Sequence, residues 1–455
     1  MIKVFLGLIL IVHIFIFTKL IYFPYPELFV YPYLTNMGLK PYSQILDQHF
    51  PGLLFLPINF DNLGMQTPEI ARIWSIAIVL LTHIFLFFIS REIFKSEKKA
   101  LIVNLLYLLW QPFLEGWVLW LDSFMPLFLL PAFYFLIKNK LFLTGIFLGL
   151  SIVFKQVTIP LAGFVLIYIL WKEKKLNGAY KYLQGLFIPV VLMLIYLTSI
   201  GVYQDFFYWT IVFNLTTYAA LGTSAPPTIG FVTRILFIFG ISILALFSKN
   251  RQVIIPLFIF IFGSSLSAFD RADFIHFQPA LPFILMGTIL GFSSIPKRQI
   301  FWVAIIIYSA ITLWWQNVFY KGHLGTEGNL LSFGDKVFFF DEQTYAIANK
   351  IMDYTNPQDK IFIYGAVPHL YQMSKTLPAG DVFVFQFPWF LKEAGNKVLE
   401  GIKNDKPEII VSDRSVKIED QPIIEFGREI DQYIMENYEI IDQIGTTNFL
   451  RRKSP

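Results

Sequence analysis

Eleven apolar runs, most of them near the length that crosses a bilayer, mark the first 316 residues: 4–23, 70–90, 99–113, 117–137, 141–154, 157–171, 182–200, 229–247, 252–269, 275–293 and 299–316. Lipid offers a peptide group no hydrogen-bond partner, so such runs enter it as helices that satisfy their own backbone. Composition agrees: 56% of the 455 residues are hydrophobic and 15% are charged, against roughly 25% charged in soluble domains. The expected fold class is an α-helical polytopic membrane protein of about eleven spans. The net charge of +4 reads as a topology signal and not as a nucleic-acid partner. The chain has no cysteine, which excludes a disulfide framework and thiolate metal sites. The N-terminal "MIKVFLGLILIVHIFIFTKLIYF" has no small-residue cleavage site and reads as a retained first span.

The ambiguous place is Lys155-Gln156, between two short runs. Fused, residues 141–171 would make a helix of about 46 Å with a lysine at its middle, against a hydrocarbon core of roughly 30 Å. Charge separates the two readings. With the runs split and the N-terminus cytoplasmic, fifteen Lys and Arg fall on the inner side of the spanning region. Only Lys19, Lys40, Arg72, Lys155, Arg234 and Arg271 fall outside. This is the asymmetry of the positive-inside rule, and fusion would destroy it. The expected placement is a multi-pass protein of the plasma (inner) membrane, with Lys155 at the outer surface or the floor of a cavity.

Four segments then gather on the outer side: the long first loop 24–69, the turn "QPFLEGWVLWLD", the loop 201–228 and "FDRADFIHFQ". Past residue 320 the pattern becomes that of an extracytoplasmic α/β domain, giving the division 1–320 and 321–455. "DEQTYAIANKIMDYT" reads as a helix capped by Asp341, and "KIFIYG", "DVFVFQF" and "PEIIVSD" read as strands. That domain shows no glycine-rich phosphate loop and no nucleophile elbow.

Within the first loop, "GLKPYSQILDQHFPG" places Asp47 between a turn shaped by Gly38 and Pro41 and a stop at Pro51. The bland reading is an Asx turn. Alternatively, an apolar corner that desolvates a carboxylate disfavours its charged form and makes it a better proton acceptor.

The order G-x-x-P-Y then D-x-x-x-P-G, together with "FLEGWVLWLDSFMPLFLLPAFYFL", "GIFLGLSIVFKQ", "RADFIHFQPALPFIL" and "NPQDKIFIYGAVPHLYQMS", resembles the GT-C class of polyprenyl-phosphate-sugar glycosyltransferases. That class includes the protein O-mannosyltransferases and the lipid A aminoarabinose transferases, and the likeness to its bacterial branch runs over nearly the whole chain. The resemblance implies an inverting hexosyl- or pentosyl-transferase of the cell envelope, with a polyprenyl-phosphate sugar as donor and a protein, glycan or lipid as acceptor. It implies that Asp47 is the base activating the acceptor. It also implies a second acid where the fourth span begins; the match is Asp122, in place of the more usual Glu, with Glu115 seven residues earlier. If that stretch is helical, both acids face one side.

A departing lipid phosphate is already a weak base, with a second phosphate pKa of ~6, and needs no acid partner. It needs positive charge and donors. Lys155, Arg271 and His276 are the cationic candidates on the outer side, with His49, Gln156 and Gln278 as further polar candidates for donor phosphate or sugar. Their structural alternatives are a snorkelling lysine, an Arg271 salt bridge to Asp270 or Asp273, and interfacial hydrogen bonding by the histidines. No metal ligand set is assigned and no cofactor is certain, though a divalent metal stays open. The rival function is a lipid or glycan flippase, which would place charges at the bilayer midplane, usually with an inverted repeat. Because the chain lacks cysteine, a single one introduced at position 330 is expected to react with an impermeant thiol reagent from the extracytoplasmic side. Labelling only from the cytoplasm would overturn the topology.

Overall fold

A computed structural model describes residues 2–174, 176–221, 227–248, 251–268, 273–294, 298–325 and 334–454. Arg271, Asp270 and position 330 lie outside the described residues. Each of the eleven apolar runs contains a helix: Ile2–Lys19, Pro68–Phe94, Glu97–Trp110, Leu121–Ile137, Leu141–Phe154, Ile159–Glu173, Leu176–Ser199, Ile229–Ser242, Arg251–Ser265, Leu281–Ser293 and Arg298–His323. Among the described residues, five helical stretches are long and apolar enough to cross a membrane, and five apolar helices are shorter. Residues 141–171 are not one helix. The backbone turns extended at Lys155 (φ −155°, ψ 114°), makes a 3-10 turn over Gln156–Thr158 and restarts at Ile159. Pro160 in the new first turn lacks the N–H that a continuous helix would need.

The chain divides into two compact units that do not follow a boundary at residue 320. One comprises residues 1–24, 69–193 and 224–337; the other comprises 25–68, 194–223 and 338–455. The first loop is thus packed with the C-terminal α/β region.

In the first unit, the glycines of "GIFLGLSI" have a packing reason. A Cβ on Gly145 would collide with the Tyr182 carbonyl oxygen, one on Gly149 with the Leu186 carbonyl, and one on Gly185 with the Phe142 carbonyl. The 141–154 and 176–199 helices therefore meet backbone to backbone, as small residues permit in membranes. A buried polar chain joins three other helices. His83 Nδ1 meets Asn104 Oδ1 at 2.8 Å, His83 Nε2 meets His13 Nδ1 at 2.8 Å, and His13 Nε2 meets Gln111 Oε1 at 3.0 Å. Asn104 completes it by donating to the Ala100 carbonyl at 3.0 Å. The two-residue strand Phe23–Pro24 pairs in parallel with Val118–Leu119.

In the second unit, a five-stranded sheet runs in the spatial order 438–444, 447–452, 409–412, 360–364, 377–378. The first three strands pair antiparallel; the last two continue parallel. Asp341 caps the helix Glu342–Tyr354 by accepting from Thr344 N at 2.8 Å, as its sequence predicts. "DVFVFQF" differs from the expectation of a full strand: only Phe383–Val384 pair as strand, in parallel with Ile45–Leu46 of the first loop. The expected loop 201–228 is also different. It begins with the helix Tyr203–Phe207 and continues as an eleven-residue π-helix, Tyr208–Tyr218. The π-helix meets the helix Pro388–Asp405, where Phe213 stacks on Phe390 at 5.3 Å with planes 2° apart and Tyr208 and Thr217 donate to Glu393 at 3.2 and 3.1 Å.

Replacing Asn104 with Leu leaves a buried imidazole nitrogen without its acceptor, which costs about 1–2 kcal/mol in a membrane interior. The expected outcome is a lowered melting temperature for Asn104→Leu in detergent, with His83→Leu, which also frees His13 Nδ1, costing less when added to it than alone. Independent, additive losses would show that the two side chains do not act as a pair.

Candidate functional site

Two clusters carry most of the candidate residues, one in each unit. In the second unit, Asp47 follows the strand Ile45–Leu46, whose pairing with Phe383–Val384 fixes where the carboxylate emerges. The residue is 2% exposed. Tyr31 donates its hydroxyl to Oδ2 at 2.6 Å, and the main-chain N–H of His49 donates to Oδ1 at 2.7 Å. The His49 ring nitrogen Nδ1 lies 2.9 Å from the same Oδ1. The loop is held from outside as well: Tyr42, with a left-handed φ of 64°, donates to the His49 carbonyl at 2.9 Å, and Asn214 donates to the Gln48 carbonyl at 3.0 Å.

Burial first, and next the Asp47 carboxylate, push the Tyr31 phenol well above its usual range. The same causes act on Tyr42. Tyr31 therefore stays protonated and can only donate to an ionised Asp47. His49 facing that carboxylate carries its proton on Nδ1, which puts the basic lone pair on Nε2. The cluster can thus accept a proton either on Asp47 Oδ2, which has a second acceptor position beyond the Tyr31 bond, or on His49 with Asp47 supporting the imidazolium.

In the first unit, Asp122 sits in the first turn of the 121–137 helix, where the positive helix end favours a carboxylate. It is fully buried. Lys155 Nζ lies 2.5 Å and His276 Nδ1 3.0 Å from its Oδ2, and these two nitrogens are 3.4 Å apart. The break at Lys155 makes this triad: an extended residue at the end of the 141–154 helix can turn its side chain inward instead of along the helix surface. Thr158 Oγ1 bonds the Lys155 carbonyl at 2.9 Å and Ser151 Oγ at 3.3 Å, satisfying the interrupted backbone. Gln156 opens the 3-10 turn that follows and is half-buried. Among the described residues, Asp122 Oδ1 is buried without a hydrogen-bond partner.

Glu115 does not share a helical face with Asp122. The stretch between them is a left-handed residue (Glu115, φ 55°), a turn and the two-residue strand Val118–Leu119, so the condition for pairing the two acids is not met. Glu115 Oε2 instead accepts from the main-chain N–H of Ile275 at 3.1 Å. Gln278 donates Nε2 to the carbonyls of Gln111 at 3.0 Å and Leu114 at 2.5 Å, so this amide nitrogen is committed to main chain. Glu115 and Gln278 together bind the segment that bears His276. Arg234 completes this support and had stood out in the sequence only as one more outer-side charge. Its guanidinium lies 3.9 Å from the centroid of the Phe113 ring and 4.2 Å from that of Phe274, and it donates to the Phe113 carbonyl at 3.3 Å. Its signal in the sequence is an arginine inside an otherwise apolar helix, which is costly without a partner. Among the described residues, no three His, Asp or Glu stand close enough to hold a metal ion.

Burial raises the Glu115 carboxyl to about 7; the Ile275 N–H opposes this, Asp273 adds to it and Arg234 counters it. An acid whose folded-state value is raised contributes stability that is present at low pH and lost as pH rises through the folded value. Wild-type protein is therefore expected to lose melting temperature between about pH 4.5 and 7 relative to Glu115→Gln, which keeps an acceptor for Ile275 but cannot ionise. Parallel curves for the two proteins across that window would show that Glu115 titrates normally.

No family model matches the chain, and a search of curated proteins finds no match either. Among solved structures, the chain is similar to ArnT from Cupriavidus metallidurans bound to undecaprenyl phosphate, with a TM-score of 0.62 and 13% identity over 98% of this chain and 97% of that one. It is likewise similar to the apo state of the same protein, with a TM-score of 0.59 at 13% identity and the same coverage. Likeness over the full length at so low an identity speaks for architecture: the chain has the GT-C polytopic membrane fold, with its sheet-containing C-terminal region, that ArnT has.

Proposed function

We propose that the protein is an inverting membrane glycosyltransferase that takes a sugar from a polyprenyl-phosphate donor and passes it to a hydroxyl or amine acceptor on the extracytoplasmic side. The observation that carries this reading is the full-length fold likeness to ArnT, whose solved structure holds undecaprenyl phosphate. The sequence motifs and the two polar clusters support it from within the chain.

In the proposed reaction the acceptor loses its proton to the 47–49 cluster as its oxygen or nitrogen attacks the anomeric carbon. The bond from that carbon to the phosphate oxygen breaks, and its electron pair leaves on the polyprenyl phosphate. Lys155, held by Asp122 and beside His276, supplies positive charge and N–H donors to the phosphate as charge grows there. Asp122 acts by fixing the ammonium in place, a role it can fill only while ionised. Arg271 remains a proposed contributor to the same charge. Glu115, Gln278 and Arg234 position the segment of His276 and need not touch substrate. A hexose or pentose, and a protein, glycan or lipid acceptor, are equally compatible with these groups.

A positioned base contributes roughly 10² to 10⁴ in rate. In proteoliposomes given radiolabelled polyprenyl-phosphate sugars, Asp47→Asn is expected to lower turnover by that order while donor binding and melting temperature persist. Lys155→Met combined with Asp122→Asn, which leaves no unpaired buried charge, is expected to weaken donor binding itself. Undiminished transfer by Asp47→Asn would remove Asp47 from the chemistry, and sugar-lipid movement across the bilayer without transfer would favour a flippase. His49→Gln separates the two routes for the proton: a loss equal to that of Asp47→Asn assigns the proton to the imidazole, and a small loss assigns it to the carboxylate.

A further inference from the structure

The first unit also carries an apolar groove of about 510 Å³. Two helical stripes line it: Phe164, Ile167, Tyr168 and Trp171 on the Ile159–Glu173 helix, and Arg251, Ile254, Ile255, Phe258, Ile259 and Phe262 on the Arg251–Ser265 helix. Both stripes recur at three- and four-residue steps, so each is one continuous face. Phe164 and Phe262 close one end, with ring centroids 5.7 Å apart. The other end opens at the helix termini, where Trp171 is 65% exposed, Lys172 lies over the Tyr168 ring at 5.7 Å, and Arg251 begins its helix.

From Arg251 to Phe262 the stripe covers eleven steps, about 16 Å at the helical rise, against about 15 Å for the hydrocarbon of one leaflet. Its wall is almost wholly apolar, and its mouth carries an indole and two cations, the chemistry of a headgroup boundary. Ile167 (64% exposed) and Phe262 (53% exposed) stand at its lips. In a bilayer such a groove is poorly suited to water along its apolar wall and matches an acyl chain in length. The charge at its mouth selects the headgroup attached to that chain.

We propose that this groove is a specific site for one anionic phospholipid, its tail lying between the two helices and its phosphate at Arg251 and Lys172, in the leaflet on the side where the chain's connections are basic. The site is independent of the proposed glycosyl transfer and needs only that the helices lie in a membrane.

The test uses the full-length protein, delipidated in a neutral detergent and titrated with phosphatidylglycerol or phosphatidylcholine of identical acyl chains, with bound lipid read by native mass spectrometry. One phosphatidylglycerol is expected per chain, preferred over phosphatidylcholine by about fivefold per cation engaged. Ile255→Trp, which fills the groove, should remove that lipid. Ile167→Trp, at an exposed lip, should do the same without touching the packed interior, and it decides the matter if Ile255→Trp lowers the melting temperature. Arg251→Gln should cut the headgroup preference about fivefold, and Arg251→Gln with Lys172→Gln should abolish it, while one lipid of either kind still binds. Equal retention in wild type and the Ile167→Trp variant, no headgroup preference in wild type, or a protein dimer in place of bound lipid would each overturn the proposal.

Discussion

A peptide group inside lipid has no solvent to turn to, so a spanning helix may be broken only where its freed groups are met by other parts of the protein. Lys155 is where this chain meets that condition. Its carbonyl and the hydroxyls of Ser151 and Thr158 satisfy one another, and the charge released into the interior is met by Asp122 and His276. A buried ammonium with no carboxylate would be prohibitively costly, and a buried carboxylate with no cation equally so. The break, the acid one helix earlier and the histidine on a distant 3-10 turn are therefore one arrangement, each part tolerable because the others exist.

The same logic explains why a second ring of residues surrounds the triad without joining it. Glu115 holds a main-chain N–H, Gln278 holds two carbonyls, and Arg234 lies between two phenyl rings. These interactions fasten a short irregular segment that has little regular hydrogen bonding of its own. In the second unit, the task falls to Tyr31, Tyr42 and Asn214 around residues 47–49. Both clusters place a charged group, Lys155 or Asp47, on irregular backbone and fasten the segments around it with side chains from elsewhere.

Much of this architecture could be read from the amino acids. Hydrophobic periodicity placed a helix in each apolar run, and the distribution of Lys and Arg argued for the interruption at Lys155 that the backbone contains. Asp341 before "EQTY" was legible as a cap because the short-range geometry of a helix start is encoded locally. What could not be read depended on distant partners. Residues 203–218 carry scattered polar residues and fall between two longer apolar runs, so they pass for a loop; they are helical against Phe390, nearly two hundred positions away. "DVFVFQF" has strand composition, but its neighbour is Ile45–Leu46 and the pairing stops after two residues. Glu115 and Asp122 stand at a helical interval along a stretch that the left-handed turn at Glu115 prevents from being helical. The hairpin 438–452 has an exposed, mixed-polarity edge strand, and so lacks the continuous β-branched signal that marked 360–364 and 409–412. Asp47 and Lys155 were legible as candidates, whereas their supports Tyr31, Arg234 and Asn214 were not, since nothing in a tyrosine, arginine or asparagine announces which loop it will steady.

The glycine seam between the 141–154 and 176–199 helices bears on how the protein can move. With main chains in contact at Gly145, Gly149 and Gly185, the two helices have no intervening side chains whose rotamers could take up a sliding displacement. They form a strut. Bending of the unit must therefore fall elsewhere, and the end of that strut, where Lys155 is mounted, keeps its bearing.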